Sequence, residues 1–302
     1  MDESYPRDRH EIAAPAGLAV KDFLSMTGAE FPQEAAILPG PHSPGEFAQK
    51  LYAYESLNPP VLHYEGEVEP YSLQWFLNIE SQRHSRHGRW IPRLLEFSKH
   101  SGETLLGLGN GLGTDWLQYA RNNADVIVCS PSTSQLGLIR RNFELRGLSG
   151  RFIHAQPTCL PLETASIDVV CISSLVPGGE IEAMVDQVYR VLKPGGKVLA
   201  VTRALYDVDF WFSTLFFWAR WLGYPPPSKA SRVSCTTARR LKRLFGRFIE
   251  HRIHKRQLRR SEVPHIWRFL PLPVLVRLMG RILVLKAFKP LSAAINVQAV
   301  AA

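Results

Sequence analysis

Cysteine is scarce in this 302-residue sequence: the four present, Cys129, Cys159, Cys171 and Cys235, stand far apart. No pair has metal-ligand or redox spacing, which argues against a structural zinc site or a dithiol centre. Cys129 and Cys171 lie in apolar runs and read as small buried thiols. Long apolar runs are lacking too. The longest, Phe210 to Leu222, is too short to span a bilayer and contains Arg220. The N-terminus carries acids and no apolar h-region, so the expected location is the cytoplasm, peripheral to a membrane at most. Acids are the third shortage. From Tyr224 to Ala302 there are 17 Lys+Arg against only Glu250 and Glu262, while Met1 to Gly223 carries 19 against 25. The net charge of +9 therefore comes entirely from the C-terminal quarter. A basic face there suits an anionic substrate, a phospholipid surface or nucleic acid, unless it is simply a solvated face. The basic run 239–260 lacks the aromatic interleaving of a nucleic-acid platform, which puts nucleic acid behind an anionic membrane as a partner.

What is present is a normal globular composition, 45% hydrophobic and 21% charged, enough for a full core. Residues 1–62 are rich in proline and read as a partly ordered extension, with one helix from Ser43 to Leu57 opened by Ser43, Pro44 and Glu46. Residues 72–98 place Trp75, Phe76, Ile79, Trp90, Ile91, Leu94 and Leu95 at helical spacing. From Glu103 strands and helices alternate. Apolar, β-branched runs fall at 103–108, 125–130, 151–155, 167–174 and 196–202, with helical segments at 114–122, 133–147 and 179–192 between them. This order predicts a parallel sheet with helices on both faces. Lys193-Pro-Gly-Gly196 stops the last of these helices and turns into the fifth strand. An aromatic segment, 207–223, then precedes a helix from Ala238 to Phe245 capped by Thr236 or Thr237. A strand over 247–257, a short helix and a last strand, Ile282 to Phe288, follow.

The first strand runs into Gly107-Leu-Gly-Asn-Gly-Leu-Gly113, and a helical segment follows from Asp115. Glycine lets the backbone approach a ligand closely, and a helix N-terminus offers unpaired N–H donors. Alone such a turn is weak, but three later segments join it. These are Arg141 to Leu148 with Gly150-Arg-Phe-Ile153, Leu160 to Val170 containing Asp168, and Tyr189-Arg-Val-Leu-Lys-Pro-Gly-Gly196. Together the set resembles the class I S-adenosylmethionine (SAM)-dependent methyltransferases of the type 11 group. The likeness covers residues 72–203 well and 236–289 more loosely.

The resemblance implies an α/β, Rossmann-like, seven-stranded sheet with the last strand antiparallel. It implies a methyltransferase-like domain over 63–290, with a core at 101–205, an aromatic insertion at 206–235, a basic part at 236–290 and a tail at 291–302. It also implies SAM as cofactor, held by Gly107, Gly109, Asn110, Gly111 and Gly113, by Ser130 and Pro131, by Gln156, Pro157 and Thr158, and by Ser173. Members of the family place acids at three of these positions, and here Gly107, Ser130 and Gln156 stand instead. A charge-assisted hydrogen bond contributes roughly 1.5–3 kcal/mol against about 0.5–1.5 for a neutral one. The three changes together would cost on the order of 2–5 kcal/mol, or roughly 30- to several-thousand-fold in affinity. Histidines often seen after the fourth strand are missing as well. His84, His87 and His154 are the nearest candidates for a base, and each reads better as surface or structural. Two functions follow as expectations: methyl transfer to a small-molecule or lipid-like acceptor without a catalytic base, or a catalytically inactive scaffold binding a partner or an anionic surface. The aromatic insertion fits a packing element, a substrate lid or a membrane contact.

Overall fold

The structure, a computed structural model, describes residues 71–84, 88–173, 175, 180–208, 210–211, 235–258, 260–263, 267 and 269–291. All of them belong to one compact unit of the chain. The N-terminal extension, the helix expected over 43–57, most of the aromatic insertion and the tail beyond Leu291 lie outside these residues.

Helix α1, Leu73–Arg83, is opened by Ser72, whose hydroxyl accepts the Trp75 N–H at 3.2 Å. Its stripe of Trp75, Phe76 and Ile79 packs on Leu112. Helix α2 is the short Ile91–Leu95. The helical spacing read over 72–98 therefore divides into two helices. At the break sits Gly88, where a Cβ would lie 1.8 Å from the Arg83 carbonyl oxygen.

The alternating region follows as β1 Thr104–Gly109, α3 Thr114–Arg121, β2 Asp125–Ser130, α4 Thr133–Glu144, β3 Arg151–His154, β4 Ile167–Ser173, α5 Ile181–Val191 and β5 Leu192–Ala204. After the insertion come β6 Cys235–Thr236, α6 Ala238–Leu244, β7 Ile249–Arg256, α7 Leu272–Met279 and β8 Ile282–Phe288. Thr237 is the cap of α6 and accepts the Arg240 N–H.

The strand order is β3-β2-β1-β4-β5-β8-β7, with β8 antiparallel to both its neighbours. The sheet has eight strands where seven were expected, because the two-residue β6 adds a parallel bridge to the end of β5. Lys193-Pro-Gly-Gly196 is absorbed into β5 through a register shift against β4, with Gly195 at φ +78°.

Successive residues point to opposite faces, and both faces are covered. Leu106, Leu108, Ile127, Val170 and Ile172 pack with Val185 and Val188 of α5 and Leu241 of α6. Leu105, Val126, Val128, Val169 and Cys171 pack with Leu95, Trp116, Leu117, Ile139 and Phe143 from α2, α3 and α4. The chain steps outward from β1 to β2 and β3, then returns to the other side of β1 for β4. That reversal makes the C-terminal ends of β1 and β4 the topological switch point, the usual ligand position in such sheets. The glycine turn lies there.

Candidate functional site

Three glycines of the turn have positive φ: Gly109 (+111°), Gly111 (+145°) and Gly113 (+74°). A Cβ on Gly109 would meet the Ser173 carbonyl oxygen at 1.8 Å, so glycine is required for β1 and β4 to pair to their last residues. A Cβ on Gly113 would meet Ile139 Cγ2 at 2.7 Å, so the third glycine lets α4 close on the start of α3. Asn110 is half-buried between them and Gly111 is buried.

Gly107 is set differently. It lies inside β1, and a Cβ there would fall 2.7–2.9 Å from three atoms of the Trp116 indole. The indole Nε1–H donates to the Cys171 carbonyl at 3.2 Å. The position that the family gives to an acid is thus covered by a buried aromatic ring.

Ser130 ends β2 and is 1% exposed. Its hydroxyl donates to Gln135 Oε1 at 2.6 Å and accepts from the Ser132 N–H at 3.1 Å. Gln135, 2% exposed, sends its Nε2 hydrogens to the Gly109 carbonyl at 3.1 Å and the Gly111 carbonyl at 2.9 Å. Asn142, about two turns further along the same face of α4, donates to the Leu112 carbonyl at 3.2 Å. Two neutral side chains of α4 therefore hold three carbonyls of the glycine turn, and the first of them ties the turn to Ser130.

Sequence reasoning did not single out Gln135 or Asn142. The signal for Gln135 was local: Ser132 and Gln135 have the spacing of a capping box. Ser132 does accept the Gln135 N–H at 3.2 Å, but the glutamine side chain turns to the glycine carbonyls instead of the cap.

Pro131 is exposed, and its carbonyl accepts from His154 Nε2 at 3.0 Å. Gln156, Pro157 and Thr158 form a turn just past β3, with Gln156 exposed and the other two half-buried. Ser173 is buried, and its carbonyl faces Gly109. The structure therefore brings the glycine turn, Ser130 and Ser173 together, and carries Gln156 to Thr158 on the neighbouring strand end. His84 lies 3.7 Å from Asp115, packed edge-on to Phe97, and His87 is outside the described residues.

Beneath the turn, Asp115 of α3 and Arg83 of α1 form a buried pair, with Arg83 Nε 2.6 Å from Asp115 Oδ1 and a second contact from the guanidinium. Burial works to raise the Asp115 pKa, yet the Arg83 charge and hydrogen bonds bring it from 3.8 to about 2. Burial pushes the Cys171 thiol up to about 12 and Cys129 to about 11, so neither is a thiolate at neutral pH. Among the described residues no three His, Cys, Asp or Glu side chains cluster as metal ligands.

Sheet order, glycine turn and flanking helices define a SAM-dependent methyltransferase fold. Residues 105–196 match the family model described as a methyltransferase domain. The chain is 36% identical over 104 residues to a demethylmenaquinone methyltransferase of Clavibacter sepedonicus, a stretch covering 33% of this chain and 40% of that protein. It is 28% identical over 117 residues to a demethylmenaquinone methyltransferase of Thermus thermophilus, covering 37% of this chain and 53% of the other. The matched stretch spans about half the length of these relatives. Among solved structures, the 4+2 cyclase SpnF superposes with a TM-score of 0.51 at 18% identity, over 82% of this chain and 95% of that one, a likeness of fold.

Proposed function

We propose that this chain is a SAM-dependent methyltransferase that recognises its cofactor through backbone and neutral groups, and that its acceptor is a small, lipid-like molecule of the quinone type. The observation that carries this reading is the glycine turn at the C-terminal ends of β1 and β4, with Gly109, Gly111 and Gly113 at positive φ and α3 starting at Thr114. The acceptor class comes from the demethylmenaquinone methyltransferases that the domain resembles.

The residues present fit SAM unequally. The turn half fits, because Gly109 to Gly113 offer close backbone approach beside Asn110 and Ser173. The nucleoside half is met without charge: Ser130 is buried and its hydroxyl is engaged on both sides. Gln156 is exposed and free to accept from an amino group and donate to a ring, with Pro157 and Thr158 as walls. SAM, when bound, supplies an activated methyl group on a sulfonium. The chain's contribution is to hold cofactor and acceptor in line, and no side chain is assigned as a base. His154 is engaged with the Pro131 carbonyl, and His84 sits against Asp115 beneath the turn.

The engaged Ser130 hydroxyl also favours a second reading, an inactive scaffold that keeps the fold to bind a partner or an anionic surface. Calorimetric titration with SAM and S-adenosylhomocysteine separates the two. Binding of both, weakened roughly 30-fold or more relative to acid-bearing relatives, is the expected result. Absence of heat at millimolar ligand would move the chain to the scaffold reading.

A further inference from the structure

We propose that the outward side of α7, with Phe269 before it, docks on an anionic lipid bilayer. The helix carries apolar residues on both sides. Leu275 and Met279 are buried with Val208 and Val263 in a small cluster of their own. Val274 and Leu278 face out, 45% and 44% exposed, Leu272 at the start of the helix is 38% exposed, and Phe269 is 79% exposed. An inner apolar stripe is what a helix on a sheet needs. An outer one is not, and exposed apolar patches of this kind mark a contact surface.

The electrostatics select lipid as the occupant. From Val263 to Ala302 the sequence has five Lys+Arg and no Asp or Glu. Arg277, exposed, stands on the same outward side of α7 as Val274 and Leu278. An acid-free stretch in which the exposed Arg277 stands beside Val274 and Leu278 is complementary to a surface that is both apolar and negative. Lys255 adds an aromatic. Its Nζ donates to the Leu278 and Tyr206 carbonyls, which holds Tyr206 (47% exposed) beside the end of α7. A ring with an apolar body and a polar tip suits the headgroup boundary.

The inference stands apart from SAM binding and can fail without it. The test is sedimentation of the full-length chain with vesicles of phosphatidylcholine alone and of phosphatidylcholine with phosphatidylglycerol, at low and high salt. Binding is expected only with phosphatidylglycerol and is expected to fall with salt. The double variant Phe269→Ser, Leu278→Ser is expected to lower partitioning about tenfold with the thermal midpoint retained. Arg277→Glu, a change at an exposed side chain, provides a second variant and should lower binding about tenfold or more. No binding to phosphatidylglycerol vesicles overturns the proposal, as does equal binding by these variants. Self-association that the same substitutions abolish would assign the face to a second copy and overturn it equally.

Discussion

A methyl group added at Gly107 would sit 2.7–2.9 Å from the Trp116 indole, so this glycine and this tryptophan are one packing unit. Gly107→Ala is expected to destabilise the fold by roughly 1–3 kcal/mol by overpacking. Denaturant unfolding should show that cost shrinking in a Trp116→Leu background; an equal cost in both backgrounds would refute the pairing. The same contact means that an acid cannot be restored here by one substitution. Ser130 has a comparable constraint. An aspartate at 130 would set a carboxylate against Gln135 Oε1, which now accepts the Ser130 hydroxyl. Rotating the amide to meet it would turn Oε1 towards the Gly109 and Gly111 carbonyls and break both bonds. Ser130→Asp alone should therefore lower stability by about 1–3 kcal/mol, the cost of buried groups left unpaired. Adding Gln135→Leu should relieve the opposition at position 130. Thermal melts of the single and double variants with and without SAM check this. A gain in SAM affinity from Ser130→Asp alone would show that the Ser130–Gln135 bond does not constrain the site. By the family resemblance, positions 107 and 130 are ones where acids are expected. What fills their places, an indole and an amide, could not be read from them.

Helix α1 is joined to the sheet domain by buried and half-buried charge as well as by Trp75, Phe76 and Ile79. Its Glu80 receives Arg121 and Gln118 (2.8 Å) of α3, and Arg146 just beyond α4 at 2.6 Å. Burial works to raise the Glu80 pKa, but these hydrogen bonds and the nearby arginine charges bring it below its ordinary value. Its Arg83 pairs with Asp115, both nearly inaccessible. Removing one member strands a buried charge, and Arg83→Ala is expected to cost on the order of 3–5 kcal/mol. Arg83→Met combined with Asp115→Asn should cost clearly less, because no charge is then left unpaired. Chemical unfolding of both proteins decides it; equal costs would mean that lost packing, and not stranded charge, sets the penalty. At this scale the sequence was highly legible. Strand and helix positions from 103 onward follow hydrophobic period, and the cap at Thr237 lies within the pair expected. The break between α1 and α2 was not legible, because it depends on Gly88 passing against the Arg83 carbonyl, a contact between neighbours on a folded path.

For the molecule as a whole, acid stability rests on carboxylates held charged in the interior. Asp115 falls from 3.8 to about 2, and Glu96 falls from 4.5 to about 2, where Lys197 and Lys286 overcome the effect of burial. Both folded values lie below the ordinary ones, so the folded state takes up these protons later than the unfolded chain. Their stabilisation is complete above about pH 4.5 and is lost as pH falls towards 2. For Asp115 the loss is on the order of 2 kcal/mol. Melting temperatures should decline steeply over that interval, and Arg83→Met with Asp115→Asn should flatten the decline. An unaltered acid limb in that variant would locate the effect elsewhere.

The fold and the methyltransferase resemblance were determined along the chain itself. The glycine turn, the Leu-Lys-Pro-Gly-Gly segment and the alternation of periods are local patterns, and they specify a doubly covered sheet whatever its neighbours do. The resemblance also implies that three customary acids are replaced, by Gly107, Ser130 and Gln156. Only the tertiary structure decided what the replacements do, because a side chain's hydrogen-bond partner at a strand end comes from elements distant in sequence. Ser130 is turned inward by Gln135, Gly107 is roofed by Trp116, and the basic C-terminal quarter contains a helix that presents apolar residues outward. Each depends on which surfaces meet after the sheet has assembled.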